Sequence, residues 1–253
     1  MHTLFSFCFY FILYSFMGWL LESLYGSLRE KRPVNRGFLT GPFCPLYGAG
    51  ALCMIVLSHW VQNVTILLLC AMVLSTALEY GTNCLLERIY KMRFWRYQFL
   101  TFRGRISLTT SLIWGILSVT LLDVLHPEVA KLAAGFSLLT LLLVTGVFLL
   151  YLASDLTYVS TSLHSLHKRL EVMSKLRKQI QHRHEHIHEM LDDGIQILRD
   201  RYESLIQNRA AVHVRLILAY RNMYSLHNHD SLQAIQKAVF EKQRRKPAVQ
   251  KKP

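Results

Sequence analysis

The sequence has few acidic residues and no glycine-rich phosphate-binding loop, and it has no long apolar run after Asp155. Lys and Arg outnumber Asp and Glu by 29 to 16 among 253 residues. The excess is uneven, with 11 against 7 in residues 1–155 and 18 against 9 in residues 156–253. A basic balance can indicate nucleic-acid binding, but beside apolar segments it more often reflects membrane orientation and attraction to anionic lipids. We therefore expect membrane lipids, and no nucleic acid, as partners.

Several catalytic and metal-binding patterns are also missing. No Walker A sequence is present, so the chain cannot hydrolyse ATP by the P-loop route. The apolar half holds no combination of Ser, His and Asp, or of Cys and His, that would suggest nucleophilic catalysis. The five cysteines have no paired metal spacing and are best interpreted as small hydrophobic residues. We expect no enzyme activity and no cofactor.

Five strongly apolar segments fill residues 1–155. Each has about 18 or more mostly apolar residues, enough for a helix to cross a hydrocarbon layer of about 30 Å. The first lacks a small-residue cleavage site, so we expect a retained helix and not a signal peptide. The sequence predicts an all-α fold, a polytopic bundle of five transmembrane helices followed by a cytoplasmic helical coiled-coil tail. The segments are approximately residues 4–21, 43–60, 64–86, 108–125 and 132–153.

The distribution of Lys and Arg between the loops predicts the orientation. The loops after the first and third segments are strongly basic, whereas those after the second and fourth carry few charges. Because Lys and Arg accumulate on the cytoplasmic side of the cell membrane, we expect the N-terminus outside and the tail in the cytoplasm. A second segment that only dipped into the bilayer would put the basic loops on opposite sides, so we reject that alternative.

Ionisable groups within the apolar segments are costly to bury and therefore need a reason. Ser75, Glu79, Asn83 and Glu87 recur every four residues, which places them on one helix face. Two interpretations stay open: the carboxylates pair with arginines and lock the bundle, or they bind a cation, a proton or a polar substrate in its cytoplasmic half. The residues that we assign to such a substrate or ion site are Glu22, Asn35, Arg36, Glu79, Asn83, Glu87 and Arg105.

Short motifs occur in a fixed order along the apolar half. They are Gly18-Trp19 with Glu22, then Asn35-Arg36-Gly37-Phe38-Leu39 with Gly41-Pro42, Pro45, Tyr47-Gly48 and Gly50, then Glu79-Tyr80, Leu86-Glu87, Trp95, Tyr97 and Gly104-Arg105-Ile106. Over residues 4–155 this set resembles the ABC-transporter type IV family, the CmpB-like membrane proteins. The third loop differs from the family pattern at Arg96, Gln98 and Thr101. The resemblance implies a permease-like subunit whose ATPase is a separate chain.

Beyond Asp155, apolar residues recur at three- and four-residue spacing between charged flanks, which is typical of a coiled coil. Asp192-Asp193-Gly194 is the clearest break signal. Residues 156–230 are therefore predicted to form either a hairpin of two helices of about 35 residues each or one helix that dimerises with a second copy. Residues 231–253 are predicted to form a short helix, capped by Asp230 and reaching Phe240, and a flexible basic C-terminus.

The tail also contains His184-Glu185-His186-Ile187-His188, which matches the zinc-protease pattern H-E-x-x-H. Charged residues surround this stretch, and nothing in it implies a buried pocket. We interpret it as a solvated histidine-rich helix face and expect no metal site, with His184 and His188 as the only metal-ligand candidates.

Two functions from different classes fit these features. The first is a permease-like transporter subunit with a polar site in the cytoplasmic half of the bundle. The second is a membrane-anchored sensing or scaffold protein that recruits a partner through its coiled coil. Five spans are few for a complete pore, so we expect a homo-oligomer in either case.

Overall fold

The computed structural model describes residues 2–95, 97, 101–102, 106–186, 192–207 and 210–244. Over these residues the chain is helical apart from short loops and two-residue strands, so the expected all-α fold is confirmed. It divides into two compact units. The first comprises residues 1–86 and 95–159, and the second comprises residues 87–94 and 160–253.

The first unit is built from apolar helices. Four of them are long and apolar enough to cross a membrane, namely Thr3–Glu30, Val64–Tyr90, Leu108–Ala134 and Leu138–His182. Large apolar side chains such as Leu139, Val147 and Leu150 stay exposed on them, as suits contact with lipid. The elements in chain order are α1 (His2–Glu30), α2 (Pro45–Ser58), α3 (Val64–Tyr90), β2 (Thr101–Phe102), β3 (Ile106–Ser107), α4 (Leu108–Thr120), a π-helical segment (Leu121–Leu125), α5 (His126–Ala134) and α6 (Leu138–His186).

The second predicted span differs from the others in length. Helix α2 has 14 residues and is therefore about 21 Å long, short of a hydrocarbon layer of about 30 Å. Pro42 and Pro45 explain its late start, because proline lacks an N–H donor and disfavours α-helical backbone in the residue before it. Five spanning helices thus remain a prediction, and the described residues contain four helices of sufficient length.

A lysine with left-handed backbone directly follows each of α1 and α3, Lys31 at φ 52° and Lys91 at φ 55°. The N–H of Arg32 donates to the carbonyl of Ser27 at 3.2 Å, and the N–H of Lys91 donates to that of Glu87 at 3.0 Å. These bonds satisfy carbonyls that the helix ends would otherwise leave unpaired. Glycine usually occupies this position, so the sequence carried no signal for either stop.

Helices α1 and α2 pack against each other around Tyr14, Ala51 and Ile55. The approach is close because Gly48 of α2 faces α1. A Cβ atom on Gly48 would lie 2.3 Å from the Ser15 hydroxyl and 2.6 Å from the Phe11 carbonyl oxygen. A second cluster of Met54, Leu67 and Ala71 joins α2 to α3.

The second unit combines the charged part of α6 with the rest of the tail. The predicted apolar positions Leu163, Leu166, Leu170 and Met173 are all buried. Strand β1 (Met92–Arg93) pairs antiparallel with β4 (Tyr224–Ser225), opposing Met92 to Ser225 and Arg93 to Tyr224. The remaining elements are α7 (Asp192–Gln207), α8 (Ala211–Ala219), β4 (Tyr224–Ser225) and α9 (His229–Arg244).

The tail departs from the predicted pair of long helices. Helix α7 begins at the predicted break, but α7 and α8 stand where one second helix was expected. Ala210 has extended backbone, with φ −67° and ψ 146°, and this interrupts the helix before α8. A coiled coil is therefore not established by the fold. The last helix, α9, runs His229–Arg244, and Asp230 in its first turn pairs with Arg177 at 2.8 Å.

Candidate functional site

The loop between α1 and α2 is held by hydrogen bonds of Asn35. The Asn35 Oδ1 atom accepts from the Trp19 indole N–H at 2.8 Å and from the backbone N–H of Gly37 at 2.9 Å. Its Nδ2 atom donates to the carbonyl of Thr40 at 3.0 Å. All these bonds fix the loop to itself and to α1, so Asn35 shapes the loop that carries Arg36.

Asp155 of α6 anchors the same loop from the other side. Its carboxylate accepts the backbone N–H of Thr40 at 3.2 Å and that of Gly41 at 3.0 Å. The Tyr151 hydroxyl also donates to it, at 3.2 Å. Sequence reasoning used Asp155 only as a boundary, because no local pattern links it to a loop more than 110 residues away.

Glu22 of α1 meets two groups from the chain that follows. It accepts a hydrogen bond from the Tyr47 hydroxyl at 2.8 Å, and its other oxygen lies 3.9 Å from the Arg36 guanidinium. Tyr47 fits against Gly18, where a Cβ atom would lie 2.1 Å from its ring. Two of the predicted site residues, Glu22 and Arg36, are thus brought together. Tyr47 joins them and was not among the predicted site residues.

Glu79 and Asn83 lie one turn apart on α3 and are almost fully buried, at 4% and 2% exposure. The Tyr97 hydroxyl donates a hydrogen bond to Glu79 Oε1. Among the described residues, no partner reaches Glu79 Oε2 or Asn83 Nδ2. Buried polar atoms are nearly always paired, so an acceptor and a donor left open on adjacent turns are unusual.

Tyr97 is close enough to both Glu79 and Glu22 to be affected by their charges. Burial raises the pKa of the Tyr97 hydroxyl, and the nearby Glu79 and Glu22 carboxylates raise it further, while a hydrogen bond with Thr110 opposes the shift. Tyr97 is therefore a neutral hydrogen-bond donor at neutral pH. The resulting polar cluster consists of Glu22, Tyr47, Glu79, Asn83 and Tyr97.

The other predicted site residues lie elsewhere or outside the described part of the chain. Glu87 belongs to the second unit, where its carboxylate accepts hydrogen bonds from Arg93 at 3.0 and 3.2 Å. Arg105 and His188 fall outside the described residues, as does the side chain of His184. Within the residues described, no group of three or more His, Cys, Asp or Glu side chains could hold a metal ion.

An apolar groove opens between α2, α3 and the helix that begins at Leu108. Its empty volume is about 520 Å³, including the space at its mouth. Tyr47 contributes to its wall and packs against Trp114, with the ring centroids 4.6 Å apart and the ring planes at 49°. The same tyrosine donates to Glu22, so the groove and the polar cluster share a residue. The lining residues are Leu46, Tyr47, Gly50, Ala51, Met54, Leu74, Ser75, Leu78, Trp114, Leu117, Ser118 and Leu121.

The chemistry of the polar cluster is that of binding. A carboxylate oxygen that lacks a partner can accept from a hydroxyl or an ammonium group, and the open amide N–H of Asn83 can donate to an oxygen. No nucleophile activated by a base is present in the cluster. A ligand offering both a donor and an acceptor would satisfy both buried atoms.

The family model described as Putative ABC-transporter type IV matches residues 9–160. No curated protein and no solved structure matches the chain. The matched region contains every residue of the polar cluster and of the groove.

Proposed function

The chain belongs to the CmpB-like ABC-transporter type IV family, and from that premise we propose that it is a permease-like transporter subunit. The observation that carries this proposal is the pair of buried polar atoms, Glu79 Oε2 and Asn83 Nδ2, that lack partners among the described residues. Intramembrane polar groups of this kind commonly mark a substrate or ion pathway. The site would bind its ligand without chemical change.

The proposal includes an orientation and an assembly. With the N-terminus outside and the C-terminal tail in the cytoplasm, Glu22, Glu79 and Asn83 all lie in the cytoplasmic half of their helices. The chain lacks a Walker A sequence, so ATP hydrolysis belongs to a separate subunit. Five segments would form too small a bundle for a complete pathway, so the transporter contains more than one copy.

A second candidate function is supported by the second unit. This unit has its own buried residues, including Leu170, Leu216, Ile217 and Leu232, and its own strand pair. A folded tail of this kind suits a membrane-anchored sensing or scaffold protein that recruits a soluble partner. The buried polar cluster in the first unit has no role in that alternative.

Copurification distinguishes the two candidates. Tagged full-length protein is purified from native membranes in mild detergent, and its partners are identified by mass spectrometry. A permease subunit should retain an ABC-type ATPase in stoichiometric amount. Recovery of a soluble partner with no ATPase, lost on deletion of residues 160–253, would favour the scaffold.

A further inference from the structure

We infer that the polar cluster and the groove together bind a single-chain amphiphile with an amino-alcohol head, the head at Glu79 and Asn83 and the chain along the groove. This inference rests on the proposed function, because it names the class of substrate for the same site. It is carried by the position of the groove relative to the cluster.

At one of its two ends, the groove approaches a polar group on each of the three helices that line it. On α2, Tyr47 lines the groove and donates to Glu22. On α3, the lining residue Ser75 lies one turn before Glu79 on the same helix face. On α4, the lining residue Trp114 lies one turn after Thr110, which forms a hydrogen bond with Tyr97.

The other end of the groove is apolar. It is formed by Met54, Leu74 and Leu121, and the polar lining residue nearest to this end along α4 is Ser118, about one turn before Leu121. Ser75 lies between the two ends of the groove. Its hydroxyl donates to the carbonyl of Ala71 at 2.6 Å, so it does not require a ligand as its hydrogen-bond acceptor. The seven residue steps from Tyr47 to Met54 give the groove a length of about 10 Å along α2, which suits an alkyl chain better than a compact polar solute.

The head chemistry follows from charge and hydrogen bonding. The cluster contains two carboxylates, Glu22 and Glu79; among the described residues Glu22 has one ion-pair partner, Arg36, and no ion pair involves Glu79. An ammonium group would donate to Glu79 Oε2, and an adjacent hydroxyl oxygen would accept from Asn83 Nδ2. A carboxylate head would have no cationic partner at Glu79 among the described residues and would approach the Glu22 carboxylate, which disfavours binding.

Photolabelling of the full-length protein in phosphatidylcholine nanodiscs tests this inference. The probe is 2-aminododecan-1-ol with a diazirine on its chain, and the matched probe is dodecanoic acid with the same diazirine. The measured quantity is the ratio of label on peptides from α2–α4 to label on the exposed α6 face at Val147 and Leu150. Labelling of that exposed face reports how much probe partitions into the bilayer. The amino alcohol should give at least about a tenfold higher ratio than the acid, as expected for a charge-assisted hydrogen bond.

Two variants locate the head and the chain. Glu79→Gln should lower the amino-alcohol ratio about tenfold, whereas Glu128→Gln, which alters an exposed carboxylate paired with Lys131, should leave it unchanged. Gly50→Leu should also lower the ratio, because Gly50 lines the groove and a Cβ atom there would be no closer than 3.9 Å to Leu78. Gly50→Leu leaves the polar cluster intact, so it tests the groove even if Glu79→Gln is poorly folded.

Equal ratios for the two probes, or no effect of Gly50→Leu, would overturn the inference. Competition by short-chain 2-aminobutan-1-ol as effective as by the long-chain compound would show a site for small polar solutes. That result would refute the amphiphile and leave the permease proposal standing. Absence of an ATPase from the native complex would refute the permease proposal without changing the labelling.

Discussion

Tyr47 and Tyr151 each occupy space that only a glycine leaves open. A Cβ atom on Gly18 would lie 2.1 Å from the Tyr47 ring, and one on Gly41 would lie 1.4 Å from the Tyr151 hydroxyl. Both tyrosines donate to buried or half-buried carboxylates, Tyr47 to Glu22 and Tyr151 to Asp155. At the scale of single residues, these glycines therefore determine where the polar contacts form.

Replacing Gly18 by alanine should destabilise the protein by about 1–3 kcal/mol, because the added methyl group overpacks against Tyr47. The matched control is Gly81→Ala on α3, where a Cβ atom would meet nothing within 4 Å. That change should be neutral or stabilising by up to about 1 kcal/mol, since alanine favours helix. Thermal unfolding of the purified variants measures both effects, and equal melting temperatures would contradict the packing described.

The burial of His213 lets us predict how the stability of the second unit depends on pH. Its Nε2–H donates to the carbonyl of Ser162 at 2.7 Å, and burial lowers its pKa from the ordinary value of 6.5. The unfolded chain therefore takes up a proton before the folded chain does as pH falls through about 6.5. The folded unit should lose stability below that pH.

Limited proteolysis of the tail at about pH 7.5 and pH 5.5 measures this dependence. His213→Gln should reduce the difference between the two pH values, even if it lowers stability at both. His229→Gln, at an exposed histidine, should leave the difference as in the wild type. A His213→Gln tail that keeps the full difference would assign the pH dependence to other groups.

At the scale of elements, Asp155 joins the first loop to α6. Asp155→Asn replaces one accepting oxygen by an amide donor that faces the backbone N–H groups of Thr40 and Gly41. We expect a loss of about 1–3 kcal/mol, the cost of leaving a buried donor unpaired. Ser154→Ala, at the exposed neighbouring residue, is the control and should cost little. Equal thermal stability of the two variants would show that the loop does not depend on Asp155.

The apolar pattern predicted which parts of the chain are helical better than where the helices end. Residues 64–86 and 108–125 do lie in helices, but α3 continues to Tyr90 and the helical run from Leu108 continues to Ala134. An apolar run in the sequence ends at the first polar residue. The helix continues further, because its backbone hydrogen bonds persist until a residue such as Lys91 leaves helical geometry. The break before α8 at Ala210 had no glycine or proline to signal it.

The sequence indicated some of the side chains that meet in the polar cluster and not others, because the signals are of two kinds. The four-residue spacing of Glu79 and Asn83 is local, so their shared face could be read from the sequence. The partners Tyr47 and Tyr97 come from other elements, and no spacing rule connects them with Glu22 or Glu79. Glu87 shares the spacing, but its carboxylate accepts from Arg93 in the second unit, so periodicity alone does not show which side chains join the polar cluster.

At the scale of the whole molecule, the orientation can be tested by cysteine labelling. In a variant without the native cysteines, Gln62→Cys and Lys131→Cys should react with an impermeant maleimide in intact cells. Lys31→Cys and Lys168→Cys should react only after permeabilisation, because the proposed topology places them in the cytoplasm. All four positions are exposed in the fold. Labelling of Lys31→Cys in intact cells would overturn the orientation.

The central claim is that the buried polar cluster is the working site of a transporter subunit. The most direct measurement is the rate of ATP hydrolysis by the complex in native membranes, which retain the cell's own substrate. The rate of the Glu79→Gln variant is compared with that of Glu128→Gln. We predict that both variants reach normal abundance and retain the ATPase. Glu79→Gln should lower turnover about tenfold, and Glu128→Gln should not change it. Wild-type turnover in the Glu79→Gln complex, or a purified complex without an ATPase, would contradict the account.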